Sequence, residues 1–338
     1  MSTSDRSARL LGVRFAWVIA CFALAASAHA QSSLGGQRAG TSSATFLRIG
    51  IGARATGMGE SFVAVANDPS AIYWNVAGLA SLQRREVALS HVSWPADVNY
   101  EHATLVIPVK RLGGSIGLQM GVLGTQIDET TELQPFGTGR QFYYTDVVMG
   151  AAYARRWTDK LLVGTGIKFV REDLGSDVGG PVTNAVLLDI GSIYYLGLGS
   201  VRIATSLSNF GSEFKPSGNY TSTTTGEVRQ FDGYDPPMVF RYGVAFEPIE
   251  NARQRLTAAL EVNQPADNEQ LLKAGMEWTY VRRFALRTGY NFRADAFKFS
   301  AGAGFTSDVG QTKLNLDYAF TDGGPLGAVN RLSLGVRF

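Results

Sequence analysis

The chain ends in the run Arg331-Leu332-Ser333-Leu334-Gly335-Val336-Arg337-Phe338. Every second residue from Leu332 to Phe338 is apolar, while the residues between them are small or polar, which is the alternation of a β-strand. One face of this strand is therefore wholly apolar, and the strand stops on an aromatic residue. Both features are typical of the closing strand of a bacterial outer-membrane barrel, whose outer face contacts lipid.

The same alternation runs back through the chain to Glu86 and divides it into fourteen segments. They begin near Glu86, Tyr100, Gly114, Tyr144, Lys160, Thr183, Val201, Pro237, Gln254, Gln270, Arg283, Ala296, Gln311 and Val329. A soluble β-sandwich also alternates, but strands of about ten residues with aromatic ends favour a barrel. The sequence therefore predicts an all-β transmembrane β-barrel of fourteen antiparallel strands over residues 86–338. Short and long connections alternate, which predicts that both chain ends face the periplasm.

Residues 1–30 have the pattern of a cleaved export signal. Arginines precede a short apolar run, and the small residues Ala28 and Ala30 flank His29, so we expect cleavage after Ala30. A lipoprotein signal ending before Cys21 is the alternative, but the apolar run continues past that residue. The signal holds three arginines and one aspartate, so the mature chain has 28 basic and 28 acidic residues.

Composition and motifs exclude several classes of function. A neutral mature chain lacks the basic footprint of nucleic-acid binding, and Cys21, the only cysteine, leaves with the signal. No Gly-x-Ser-x-Gly element accompanies the remaining histidines, His91 and His102, and the loop carboxylates match no calcium-loop spacing. We therefore expect no enzyme activity, no cofactor and no metal site.

Residues 31–85 do not alternate and form a separate N-terminal segment. Closely spaced glycines from Gly50 to Gly59 allow the backbone to pass tightly against another surface. The run Asn67-Asp68-Pro69-Ser70 predicts the start of a helix, and Gly78 its end. Because fourteen strands enclose a lumen, we expect this segment to fill it as a plug or hatch.

The run from Phe46 to Ala80 closely resembles the N-terminal region of the PorV/PorQ family, which is part of the FadL-like group of outer-membrane barrels. Val76 stands where that family has proline. The last hairpin also resembles the family's. The matching plug residues are Gly50, Gly52, Arg54, Gly57, Met58, Gly59, Asp68, Trp74, Asn75 and Gly78.

The resemblance implies two kinds of role. PorV-like members take part in type IX protein secretion, so the implied partners are translocon subunits and secreted cargo proteins beside outer-membrane lipid. FadL-like relatives transport hydrophobic small molecules across the outer membrane, which implies a hydrophobic ligand in the lumen. A purely structural outer-membrane protein is a third class. The sequence does not choose among them.

Two further sets of residues are candidates for function. Charged residues of both signs fall on the predicted inner face of successive strands, and their balance favours structural ion pairs over a solute path. These lumen charges are Arg241, Glu261, Lys273, Glu277, Arg287, Lys298 and Asp317. The long loop before Pro237 carries a candidate partner surface of Phe214, Tyr220, Phe231 and Tyr234. Phe338 is the candidate signal for barrel assembly.

Overall fold

The computed structural model describes residues 39–222 and 224–338. The predicted signal peptide, its cleavage site after Ala30 and Cys21 lie outside the described residues. In the described part of the chain, no helix is long and apolar enough to span a membrane.

Fourteen antiparallel strands form a closed barrel, as the sequence predicts. Each strand begins within three residues of its predicted start. The strands are β1 Glu86–Trp94, β2 Val98–Val109, β3 Gly114–Asp128, β4 Gln141–Arg156, β5 Leu161–Asp173, β6 Val182–Tyr195, β7 Arg202–Gly211, β10 Val239–Glu250, β11 Gln254–Pro265, β12 Leu271–Tyr280, β13 Phe284–Asn291, β14 Phe299–Val309, β15 Thr312–Asp322 and β16 Ala328–Arg337. A separate two-stranded hairpin, β8 Asn219–Thr221 and β9 Val228–Gln230, lies in the longest connection.

The barrel closes by pairing β1 with β16, where Glu86 lies opposite Arg337 and Leu89 opposite Leu334. On β16, the side chains of Leu332 and Leu334 are exposed on the outer face, and so is Phe338 directly after the strand. Arg331, also on β16, is buried. The alternation therefore separates an apolar outside from a polar inside, which is the arrangement that lipid requires of a membrane barrel.

The two ends of the barrel differ in the length of their connections. At one end, here called the turn end, consecutive strands are joined by two to six residues. At the opposite end, the loop end, the connections include residues 129–140 and 212–238. Phe338 lies at the turn end, where its N–H donates to the carbonyl of Arg85.

Residues 41–85, here called the N-terminal segment, contact opposite sides of the wall. The segment contains helices α1 Ala53–Gly57 and α2 Ala71–Trp74, and the 3₁₀ helices Thr45–Arg48 and Val76–Ser81. Helix α1 contacts β13 to β16, and Val76–Ser81 contacts β3 to β6 on the far side of the strand order. A segment that contacts both sides of a closed barrel lies within it.

Two apolar clusters hold the segment against the wall. Near the turn end, Phe62, Trp74 and Leu79 pack with inward residues such as Val106 and Leu162. Near the loop end, Phe46, Leu47, Ile49 and Ile51 pack against apolar wall residues of β1 to β6 and β16, here called the loop-end chamber. Its wall residues are Val92, Tyr100, Leu123, Val148, Val170, Ala185, Leu187 and Val329. Burial of apolar surface is the main stabilising contribution in both clusters.

The predicted inner face is wrong at Lys298. Phe297 has a left-handed backbone with φ of 58°, so the alternation shifts before β14 begins at Phe299. The Phe297 ring turns to Trp94, with ring centroids 4.9 Å apart. Lys298 is exposed and lies in the connection before β14 rather than on a wall strand, where the sequence predicts it.

Candidate functional site

The lumen charges of β10 to β15 join the wall to the N-terminal segment. Arg54 of α1 donates from Nε and Nη2 to the two carboxylate oxygens of Glu277, both at 2.8 Å. Arg287 donates to the same carboxylate at 2.7 Å and to Asp317 at 2.6 Å. Asp68 accepts from Arg54 at 2.9 Å. Five charged groups of alternating sign therefore form one network, and the geometry is that of a structural clamp.

A second part of the wall binds the segment through its backbone. Glu261 Oε2 accepts the N–H groups of Phe62 and Val63 at 2.9 and 2.8 Å. Lys273 Nζ donates to Glu60 at 2.8 Å. Burial opposes ionisation of Glu60, but the charges of Lys273, Arg331 and Arg241 outweigh it and lower the pKa of that carboxyl. Glu60 is therefore an anion inside the barrel.

Arg241 sits between the segment and the neighbouring strand β7. Its Nη1 donates to the Ser208 hydroxyl at 2.9 Å, and its guanidinium lies 5.6 Å from the centre of the Trp74 ring. The Trp74 indole N–H donates in turn to the carbonyl of Ile51 at 3.0 Å. A cation over an aromatic face in a dry environment adds to the stability of this contact.

Asn75 fixes the turn between α2 and the following 3₁₀ helix. Its amide donates to the carbonyls of Val63 and Ser192 at 3.0 and 3.1 Å, and its Oδ1 accepts the N–H of Ala77. One buried side chain thus satisfies three backbone groups, one of them on β6.

We expect Asn75→Ala to lower the free energy of unfolding by about 1–3 kcal/mol, because it leaves buried backbone groups without partners. Urea unfolding of the refolded barrel measures this. Asn99→Ala is the matched control, since the exposed Asn99 makes only a 3.4 Å contact with Asp97. Equal losses in the two variants would contradict the assigned role of Asn75.

The motif glycines of the segment lie against glycines of the wall. A Cβ on Gly57 would lie 3.2 Å from the Cα of Gly302, and one on Gly59 2.8 Å from the backbone of Gly289. Gly59 also has φ of +63°. Within the segment itself, a Cβ on Gly78 would lie 2.2 Å from the carbonyl oxygen of Ala66. These positions need glycine because two backbones touch there.

A cavity of about 580 Å³ separates the clamp from the turn end. Charged groups of both signs line it, including Arg54, Asp68, Glu86, Glu277, Arg287 and Arg337. Apolar surface lines it to a similar extent, but its many charged groups, which the loop-end chamber lacks among its wall residues, distinguish this space, here called the polar cavity. Among the described residues, no three His, Cys, Asp or Glu side chains are arranged to hold a metal ion.

The four residues of the candidate partner surface differ in their exposure. Phe214 is fully buried and packs into the loop-end chamber, so it is not available to a partner. Tyr220 and Tyr234 are 41% and 48% exposed, and the Tyr220 ring packs on Phe231 with centroids 5.2 Å apart. Phe214 was predicted as a surface residue because its loop is long and polar, but the loop folds back over the barrel mouth.

Several inward charges of the first half of the barrel are absent from the predicted set. Lys168 pairs with Asp189 at 2.9 Å, and Arg202 pairs with Glu247 at 2.9 Å. Asp146 and Glu172 are also buried on the inner face. The same alternation of inward and outward positions runs through β4 to β7, and it indicates that Asp146, Glu172 and Lys168 face inward.

The comparisons with known proteins concern the fold. The crystal structure of the Ralstonia pickettii toluene transporter TbuX matches with a TM-score of 0.57 at 13% identity, covering 85% of this chain and 97% of that chain. The Pseudomonas putida toluene transporter TodX matches with a TM-score of 0.53 at 16% identity, covering 84% and 96%. The chain therefore shares the fold of these two toluene transporters.

Comparison of the sequence with known families covers a smaller part of the chain than comparison of the fold. An uncharacterised protein family, UPF0164, matches residues 19–168, which is less than half of the chain. Among curated proteins, none matches. The comparisons thus show a fold that is shared with two toluene transporters, and at this sequence identity they show the fold alone.

Proposed function

We propose that the protein is an outer-membrane channel for small apolar molecules, with the N-terminal segment as its plug. The loop-end chamber is the observation that carries this. Eight inward residues of its wall are apolar, whereas the inside of a water-filled porin is polar. Molecules without charge find a favourable environment there, and residues 44–51 occupy it in this state. The similarity of fold to two toluene transporters supports the same class of ligand.

The polar cavity fits the release side of such a path. Its arginines and carboxylates bind one another and offer little to an apolar molecule, which therefore leaves toward water-accessible space. In this proposal the turn end, with Phe338, faces the periplasm, and the loop end faces outward. The segment must shift for passage, because Phe46 and Leu47 fill the chamber.

Uptake of radiolabelled toluene by cells with and without the protein tests the proposal. We expect Val148→Thr/Val170→Thr to reduce uptake about tenfold, because two hydroxyls in the chamber penalise an apolar ligand while conserving volume. Val106→Thr is the matched control: it is an equally buried inward valine, but it packs against the segment near the turn end. Uptake that is equal with and without the protein would overturn the proposal.

A PorV/PorQ-like role in type IX secretion is the second candidate. The observation that favours it is the motif segment together with Tyr220 and Tyr234, which the connection of residues 212–238 exposes at the loop end. Affinity purification from native outer membranes, with mass spectrometry of proteins and lipids, separates the two roles. Translocon subunits or secreted cargo that are lost with Tyr220→Ser/Tyr234→Ser would support secretion. A barrel that carries an apolar molecule and no such proteins would support the channel.

A further inference from the structure

Two buried carboxylates on the inner wall have no basic partner. Seven acidic side chains of the described residues are buried, and five of them lie within 4 Å of an arginine or lysine: Glu86, Asp189, Glu261, Asp267 and Glu277. The other two, Asp146 and Glu172, make no salt bridge within the described part of the chain. They are direct cross-strand neighbours, since Asp146 of β4 lies opposite Glu172 of β5.

Their surroundings make two uncompensated charges costly. Asp146 is 1% and Glu172 4% exposed. The adjacent inward residues, Val148 and Val170, belong to the apolar loop-end chamber. Directly opposed like charges are destabilising in a sheet, and an isolated buried charge requires a counter-charge or neutralisation. Lys168, the next basic residue inward along β5, is bound to Asp189.

Two oxygen atoms on these neighbouring side chains are buried without a hydrogen-bond partner. Thr183 of β6 lies opposite Glu172 and is 1% exposed, and its Oγ1 has no hydrogen-bond partner. Asp146 Oδ1 is likewise buried without a partner, while Oδ2 accepts the Tyr144 hydroxyl at 2.9 Å. Glu172 accepts the Ala44 N–H at 2.7 Å and the Ser43 hydroxyl at 2.5 Å, and each oxygen keeps a second lone pair.

We propose that Asp146, Glu172 and Thr183 form a binding site for a hard divalent cation of the Ca²⁺ class. Carboxylate and hydroxyl oxygens are the ligands that such ions take, with water completing the shell. The ion supplies the positive charge that the protein itself places beside every other buried carboxylate. It also fixes Glu172, and through Glu172 it holds Ser43 and Ala44 of the N-terminal segment at the loop end.

Charge at this end of the barrel favours delivery of a cation. The connections on either side of the site, residues 129–140 and 174–181, begin beside acidic residues at the ends of β3 and β5, Asp128 and Asp173. Glu129 and Asp177 lie within these connections. Arg140 pairs with Glu129 and Arg171 with Asp173, and the remaining excess of acidic residues raises the local concentration of cations.

The test is a Ca²⁺ titration of the full protein, stripped of divalent ions with a chelator in detergent. We expect one bound ion per chain, and a melting temperature that rises by several degrees with Ca²⁺, because a ligand that binds only the folded state stabilises it. Asp146→Asn lowers the affinity about 100-fold, since ligand charge sets Ca²⁺ affinity. It also makes the melting temperature independent of Ca²⁺. Thr183→Val is the second variant and weakens binding with the carboxylates intact.

Asp128→Asn/Glu129→Gln is the matched control, because it removes two loop carboxylates and leaves the buried pair. We expect it to keep the site. Loss of binding in this control together with full binding in Asp146→Asn would overturn the proposal. So would a wild-type melting temperature that depends on pH but not on Ca²⁺, since the two carboxylates would then be sharing a proton. Proteolysis within residues 41–50 reports on the segment, and it should slow when Ca²⁺ is added.

Discussion

Replacing Arg54 by alanine is expected to destabilise the barrel by about 3 kcal/mol, because Asp68 loses its basic partner and Glu277 keeps Arg287 alone, and hydrogen bonds to charged groups are strong. Arg54 supplies both hydrogen bonds that join Glu277 to the N-terminal segment, at 2.8 Å each. It also binds Asp68, which receives no other basic partner among the described residues. Urea unfolding, followed by the change in electrophoretic mobility of the folded barrel, measures the loss.

Two further variants test whether the loss of stability comes from the ion pairs of Arg54 or only from the loss of its positive charge. Arg171→Ala removes an exposed arginine whose contact with Asp173 is 3.5 Å, and exposed pairs of this kind contribute about 0–1 kcal/mol. Arg54→Lys keeps the charge but cannot make the two parallel bonds, so its stability should lie between those of wild type and alanine. A change for Arg54→Ala as small as that for Arg171→Ala would show that Glu277 relies on Arg287 alone.

The sequence predicts the barrel well because lipid imposes a strict rule on each strand. Every second residue from Met238 to Phe246 must be apolar, and the pattern depends on local spacing alone. The wall charges from Arg241 to Asp317 follow from the same rule. Lys298 does not, because the left-handed residue Phe297 reverses the alternation there. A backbone conformation of this kind leaves no mark on hydropathy.

The sequence does not reveal which residues far apart in the chain contact one another. The inward position of Asp146 can be counted, but its meeting with Glu172 depends on the register of β4 against β5 across the loop of residues 129–140. The burial of Phe214 depends likewise on how its loop folds back. The motif glycines are predicted to allow a close approach, but their partners Gly289 and Gly302 lie on strands where glycine is common.

Gly289→Val is expected to release the N-terminal segment while the barrel remains folded. A Cβ on Gly289 would lie 2.2 Å from the backbone nitrogen of Gly59 and from the carbonyl carbon of Met58, so backbone atoms must move apart. Valine itself suits a strand, and the cost therefore falls on the contact with the segment. Limited proteolysis should cleave residues 50–60 rapidly, with the heat-modifiable barrel band unchanged.

Gly335→Val tests whether release of the segment requires the contact of Gly289 with Met58 and Gly59 or follows from any change of a wall glycine to valine. Gly335 also lies on the wall, in β16, but the nearest atom to its Cβ is Asn315 Cβ at 3.5 Å, an ordinary contact. We expect this variant to retain wild-type protection of the segment. If the channel proposal holds, Gly289→Val also raises uptake of toluene, because displacement of residues 53–59 loosens the adjoining residues 44–51 from the chamber. Protection that is equal in the two variants would mean that the wall glycines do not position the segment.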